Sequence, residues 1–302
     1  MEIAVGTEVG LMAGAPCDAH LAESVAPGVT LFAVADGFGE IGRGTPTAPL
    51  ALATVRDYLR RRHRVGSFAR NVSPGGLRAI LLAALDHANA RLFAQSGSHE
   101  DFVASGTSLT AVMLVGSHAF VGHVGDARAY LSRVGRLEVL TADDAMFAGT
   151  AVTSSKASLP AKPHARNLLW RSLGTQNKLE ASIAHVELLP GDQLALCTDG
   201  VHRCVSATEL CDALGDADTA SGVVARVLAT VKARGNVDTG TLLVGRDLLA
   251  PATPSYGGNF ALARPARAVL AVIAIISMLL GGAYVVRNGY PDHPSGVATP
   301  QR

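Results

Sequence analysis

The sequence predicts an α+β layered domain followed by one membrane-crossing helix, and three observations carry that prediction. Residues 1 to about 248 mix two hydrophobic periods, with short β-branched or apolar runs beside longer stretches of helical repeat. The strand-like runs come in groups interrupted by paired helices. That arrangement favours antiparallel layers over a doubly wound parallel sheet, in which strands and helices alternate one for one. Beyond them, residues 268–286 read AVLAVIAIISMLLGGAYVV, an apolar run without a charge.

Strands are predicted at 29–35, 109–115, 119–124, 129–131, 137–140, 194–197 and 241–244. Several adjoin across a few polar or glycine residues, as hairpins do. Helices are predicted at 45–62, 75–95, 207–214 and 221–233. In the second, Leu81, Leu85, Ala88 and Leu92 recur at spacings of four, three and four, which lays them on one face. Residues 142–166 have little periodicity and many small or polar residues, so they are expected to form a long loop, and loops of that length are usually functional or disordered.

At about 1.5 Å per residue, residues 268–286 would span roughly 28 Å, close to the hydrocarbon thickness of a bilayer. Ser277, Gly281, Gly282 and Tyr284 interrupt the run and are tolerated in such helices. Arg264 and Arg267 precede it and Arg287 follows, a weak positive-inside bias. The N-terminal MEIAVGTEVG has neither a basic start nor an apolar run, unlike a signal peptide. The expected organisation is a cytoplasmic domain at 1–248, a Pro/Ala/Gly-rich linker at 249–266, a single transmembrane helix at 267–287 and a short tail at 288–302.

Composition excludes some partners. With 26 Lys+Arg against 25 Asp+Glu the net charge is +1, so nothing draws the whole chain toward nucleic acid. The run Arg60, Arg61, Arg62 closes a predicted helix, where cations suit the helix dipole. Cys17, Cys197, Cys204 and Cys211 form no CxxC pair and read as reduced thiols that mostly pack.

The chemistry lies in aspartates at strand ends: Asp36 in LFAVADGFG, Asp126 in HVGDARAY, Asp199 in QLALCTDG, and Asp238 ahead of TGTLLV. A carboxylate beside glycine at the end of a buried strand sits on a rigid element with room for something to approach. One such residue is an ordinary turn former. Four in one domain would repel one another unless a divalent cation neutralised them, and hard oxygen donors suit Mg²⁺ or Mn²⁺.

These segments resemble the metal-dependent PPM/PP2C family of serine/threonine phosphatases, especially its membrane-tethered bacterial members. LFAVADGFGEIGRG is similar to the VADGMGG-type segment, SGTSLTAVML to the GTTL strand, and HVGDARAYL to GDSRAYL. LTADD and HARNLLWRSLG resemble the segments flanking the family's flap, LPGDQLALCTDGV resembles PGDxLLLCSDGL, and DTGTLLV the terminal DNxT strand. The likeness runs in order along about 240 residues.

The resemblance implies a β-sandwich of two antiparallel sheets flanked by helices, with a two-metal centre at one edge. By position, Asp36 would bridge both ions, the Gly37 carbonyl would hold one, and Asp199 and Asp238 the other. Asp126 would help hold a third, looser ion, and Asp18 would sit outside the coordination sphere. The implied reaction is hydrolysis of phosphoserine and phosphothreonine by a metal-activated water, with Asp36 and Asp199 as the residues on which catalysis rests. Phosphorylated proteins are the implied substrates, and the tether points to a membrane-anchored Ser/Thr kinase and its targets. Gly235 and Asn236 offer a competing match that would remove a ligand; Asp238 is preferred because LLV then falls on the last strand.

The pattern breaks near the N-terminus. Where the family carries Arg and then Asn-Glu-Asp, this chain reads GLMAGAPCDAH: Ala13 stands at the Arg position, Cys17 at the Glu position, and Asp18 remains. Loss of a bidentate phosphate contact should weaken substrate binding. Arg43, Arg128 or Arg166 could supply a cation from another direction. A catalytically weak or inert signalling domain is therefore the alternative. Glu40 and Ile41 also depart from the usual Gly-His, and no general acid is evident.

Residues 37–42 spell GxGxxG after a strand, with Asp57 about twenty residues on, the written form of a dinucleotide site. That reading leaves GDARAY and CTDG unexplained. His123 alternates with core positions and is expected in the core, as is Trp170. His164 could face the cleft or pack, and Asp143 and Asp144 read as a turn or an additional metal contact.

Overall fold

Strand alternation decides how the layers stack. In the computed structural model, which describes residues 1–11, 17–38, 40–41, 45–64, 72–96, 105–146 and 168–249, the chain runs as follows. The first part comprises β1 (Glu2–Glu8), β2 (Asp18–Ala26), β3 (Val29–Phe38), β4 (Glu40–Ile41), β5 (Thr45–Pro46), α1 (Thr47–Arg64) and α2 (Pro74–Ser96). The middle comprises β6 (Gly106–Val115), β7 (His118–Val124), β8 (Arg128–Arg133), β9 (Arg136–Val139), β10 (Ala145–Met146), β11 (Leu168–Leu169) and β12 (Ser182–Glu187). The last part comprises β13 (Gln193–Cys197), α3 (Asp199–His202), α4 (Ala207–Asp216), α5 (Ala220–Ala233) and β14 (Gly240–Arg246).

Two five-stranded sheets form, in the orders β1-β14-β13-β8-β9 and β12-β7-β6-β3-β2. Every pairing in them is antiparallel. Successive side chains point to opposite faces of a strand, so each sheet serves two cores. On β3, Phe32 and Val34 meet Leu194 and Leu196 of β13 and Leu243 of β14 between the sheets. Leu31, Ala33 and Ala35 face the other way, onto Leu52, Val55 and Leu59 of α1 and Leu81, Leu85 and Leu92 of α2. Likewise Ala195, Cys197, Leu242 and Val244 face Leu210 of α4 and Val223, Val227 and Val231 of α5. The result has four layers, helices outside and two sheets within, as the family resemblance implied.

Polar caps start the helices that cover the first sheet. Ser206 and Glu209 form a reciprocal capping box at α4, and the Thr219 side chain accepts from Gly222 N at α5. The all-antiparallel pairing also disposes of the dinucleotide reading. Gly37 lies within β3, opposite Thr107 in the sheet, and Asp57 is ion-paired to its neighbour Arg56 on α1.

Several expectations need correction. β1, β2, β12 and the four-residue α3 were not predicted as elements, and α1 begins at Thr47 rather than residue 45. The predicted loop at 142–166 is in part paired, because Ala145 and Met146 bond with Leu169 and Leu168; residues 147–167 lie outside the described residues. Trp170 is not core. It is 51% exposed, with the Arg171 guanidinium 4.2 Å above its ring, because the short β11 ends at the surface just before it. His123 is buried as expected, between the Thr110 hydroxyl and the Ala142 carbonyl. Among the described residues no helix is long and apolar enough to cross a membrane. Residues 250–302, which include the expected span and tail, lie outside the described residues.

Candidate metal centre

The period of two that fills the inter-sheet core also delivers carboxylates to one end of it. Asp36 follows Phe32 and Val34 on the inward face of β3, and Asp18 of β2 is its direct cross-strand partner. On the facing sheet, Asp199 follows β13 as the first residue of α3, and Asp238 immediately precedes Thr239 and β14. Asp126 sits in the turn between β7 and β8, 3% exposed. Five carboxylates therefore meet at the open end of the sandwich.

Close backbone approaches put them there. Gly125 has φ +100, where side chains are strained, and a Cβ on it would lie 2.4 Å from Ser108 Cβ. At Gly200 a Cβ would lie 2.2 Å from the Thr239 carbonyl oxygen, so only glycine lets α3 pack against the segment that carries Asp238.

Thr198 ties the two sheets together across the site. Its hydroxyl donates to Asp18 Oδ2 at 2.8 Å and accepts from Thr241 N at 2.9 Å. Next along α3, His202 Nε2 donates to the Asp126 backbone carbonyl at 2.9 Å. Arg203 enters the cluster itself: it contacts Asp199 Oδ2 at 2.7 Å, Asp238 Oδ2 at 3.6 Å and Asp126 Oδ2 at 3.9 Å.

The electrostatics are those of crowded, desolvated anions. Burial, reinforced by Asp199 among other causes, raises the Asp126 pKa to about 7. Burial raises Asp18 to about 6, with hydrogen bonds from Thr241 and Thr198 pulling the other way. Asp36 stands well above the usual carboxylate range because of burial and the charges of Asp199, Asp18 and Asp126. Each of these shifts records first the cost of burying a charge, which at Asp126 the nearby Arg203 offsets only in part.

Whether the residues suit a divalent ion can be judged from their unsatisfied atoms. Asp18 Oδ1, Ser108 Oγ and Asp199 Oδ1 are buried without hydrogen-bond partners, and Ser108 is the cross-strand partner of Asp36. Unpartnered buried oxygens are uncommon, because each costs about 1–3 kcal/mol. An oxygen-only, anionic donor set open at one end fits Mg²⁺ or Mn²⁺. Among the described residues, no three acidic, histidine or cysteine side chains are already drawn together to hold an ion; three of the carboxylates are arranged about Arg203 instead.

The remaining predicted residues fall as follows. Arg128 donates twice to Asp143, at 2.9 and 2.8 Å, so its fork is committed to a protein carboxylate. Asp144 accepts from Gly125 N and pairs with Arg171. Asp143 and Asp144 are thus ion-paired, and Asp144 supports the turn that carries Asp126 through Gly125 N. Asn236, the rival to Asp238, turns its side chain onto the Asp238 backbone. Ala13, Arg43, His164 and Arg166 lie outside the described residues. Missed from sequence were Thr198, Ser108, His202 and Arg203. Only Arg203 carried a local signal: it stands four residues after Asp199, on the same side of a helical turn.

Comparison with known proteins agrees with the fold. The model of a family described as protein phosphatase 2C matches residues 10–241. Over 196 residues the chain is 33% identical to the serine/threonine protein phosphatase PstP of Mycobacterium tuberculosis, covering 64% of this chain and 35% of that protein. The chain thus spans about a third of that relative's length. It is 28% identical over 217 residues to the serine/threonine phosphatase stp of Listeria monocytogenes, covering 71% of this chain and 84% of the relative. Among solved structures, the catalytic domain of PstP in complex with two manganese ions superposes with a TM-score of 0.63 at 27% identity, over 80% of this chain and 96% of that one.

Proposed function

Since the chain belongs to the protein phosphatase 2C family, we propose that it hydrolyses phosphoserine and phosphothreonine esters in proteins with the help of divalent cations. The observation that carries the proposal is the convergence of Asp18, Asp36, Asp126, Asp199 and Asp238 on one open end, where Asp18 Oδ1, Ser108 Oγ and Asp199 Oδ1 are buried without partners. In this reading Asp36, the Gly37 carbonyl, Asp199 and Asp238 hold two ions, Mg²⁺ or Mn²⁺. Asp126 contributes to a third, and Asp18 supports from outside the coordination sphere. When bound, the ions supply Lewis acidity and bring a water's pKa toward neutrality.

The chain's own part is positioning. Thr198 orients Asp18 and pins it to β14 through Thr241. His202 holds the backbone of Asp126, while Arg171 anchors Asp144, whose carboxylate supports the Asp126 turn. With Ala13 at the family's arginine position, the phosphate would be gripped from another direction, by Arg43 or Arg166 before the committed Arg128.

The proposal extends to location. The uncharged run at 268–286 would anchor the domain at 1–248 to the cytoplasmic face of a membrane. Tethering would raise its effective concentration toward a membrane-anchored Ser/Thr kinase and its substrates. Fractionation of cells expressing the full chain tests this, since recovery wholly in the soluble fraction would remove the anchor.

A second reading, an inert domain that binds phosphoproteins, is favoured by one observation: the arginine that should meet phosphate is Ala13, while Arg203 sits among the carboxylates. Hydrolysis of p-nitrophenyl phosphate and a phosphothreonine peptide by the full chain with Mn²⁺ separates the two. Turnover that Asp36→Asn and Asp199→Asn abolish supports the enzyme. Peptide binding without turnover at any Mg²⁺ or Mn²⁺ concentration supports the inert domain.

A further inference from the structure

The carboxylate cluster is not uniformly short of cations. Its outer part is served by Arg203, whose Nη2 lies 2.7 Å from Asp199 Oδ2 and 3.9 Å from Asp126 Oδ2, while Nη1 lies 3.6 Å from Asp238 Oδ2. Its inner part, with Asp36 and Asp18, has no such partner among the described residues, and there Asp18 Oδ1 and Asp199 Oδ1 are buried and unsatisfied. Asp199 thus presents one oxygen to the guanidinium and leaves the other bare.

We infer that Arg203 is a tethered cation that occupies the outer half of the metal centre and competes with a divalent ion there. Three facts support this. A guanidinium stays charged at any physiological pH and offers a planar fork of donors, so it can serve several carboxylates at once where an ammonium would serve fewer. Arg203 leaves α3 one helical turn after Asp199, so the backbone that places the ligand also places its competitor. Its side chain is one-third exposed, at 33%, so it sits at the mouth of the cluster with an exit to water. It can swing out without unfolding the site.

The consequence is unequal occupancy. An ion entering between Asp36 and the bare oxygens displaces no protein group. An ion bound by Asp126, Asp199 and Asp238 must first eject Arg203 and break its ion pair with Asp199. That displacement should leave the outer ion bound at least about tenfold more weakly than it would be without the arginine. The full carboxylate set would then be used only at high metal concentration, which gives the centre a built-in threshold. This deepens the metal-centre reading and rests on it.

The test replaces Arg203 with methionine, which keeps length and removes charge, and with lysine, which keeps charge and loses the fork. Titration calorimetry of Mn²⁺ into the full chain in detergent micelles counts ions, and thermal unfolding in a chelator reports the metal-free cluster. For R203M the inference expects an additional or at least tenfold tighter Mn²⁺ site, together with a lower melting temperature in chelator that Mn²⁺ restores. R203K should keep the parent's ion count and most of its metal-free stability. Unchanged ion number and affinity in a folded R203M overturns the inference. If neither parent nor variant binds Mn²⁺, the metal-centre reading fails. In that case a destabilised R203M still shows Arg203 to be the cluster's counter-ion, and an unchanged one removes that role as well.

Discussion

Asp126→Asn should make the metal-free protein more stable, although it removes a buried charged group from the centre of the site. Asp126 is 3% exposed, and burial together with Asp199 raises its pKa from 3.8 to about 7. Above pH 7 the carboxylate is ionised in both folded and unfolded chains, so folding carries the full cost of that charge. At about 1.4 kcal/mol per tenfold change in proton affinity, the cost is at most about 4 kcal/mol. The sign follows from proton counting. Between pH 4 and 7 the folded protein holds a proton that the unfolded chain has lost, so the stability of the parent falls as pH rises through this window. Asparagine does not titrate, so its advantage should be absent below pH 4, grow through the window and level off above pH 7. Part is offset because Arg203 loses a neighbour at 3.9 Å, leaving an expected gain of about 1–3 kcal/mol. Urea denaturation in chelator at pH 4.5 and pH 8 measures it, and Mn²⁺ should reverse the order by stabilising the parent more. A variant less stable than the parent at pH 8 in chelator would instead show Asp126 to be a net stabilising group.

Other outcomes follow from single contacts. Thr198→Val removes the donor to Asp18 and the acceptor for Thr241 N; it should cost about 2–4 kcal/mol with or without metal by urea denaturation, and lower Mn²⁺ affinity in calorimetry. Gly200→Ala drives a Cβ to 2.2 Å from the Thr239 carbonyl oxygen; loss of more than about 2 kcal/mol is expected, with activity falling further than stability because Asp238 is displaced. Ala13→Arg restores a charge-assisted phosphate contact and should lower KM for a phosphothreonine peptide by roughly tenfold with little change in thermal midpoint.

How much of this was legible in the sequence depended on period and on punctuation. The central strands were readable because each buries both faces, which leaves apolar runs such as 109–115. β2 and β12 were not, because edge strands half-exposed on both faces read as DAHLAESVA and SIAHVE, with polar residues at irregular intervals. Trp170 misled because its flanking leucines suggest a core, whereas a two-residue strand cannot carry the next side chain inside. Strand-end aspartates beside glycine announced the site, since that pairing places a charge on a rigid element. Its wiring was silent. Thr198 meets Asp18 across 180 residues, and Arg128 meets Asp143 through a turn, contacts that no local pattern encodes.

The most direct test of the account is anomalous diffraction from crystals of the domain grown with Mn²⁺. Manganese peaks are expected within bonding distance of Asp36 and Asp199, the first filling at low concentration on the side of the Gly37 carbonyl, and the density near Asp126 and Asp238 filling only as Arg203 leaves. Saturating manganese with no peak between Asp36 and Asp199, and Arg203 unmoved, would contradict it.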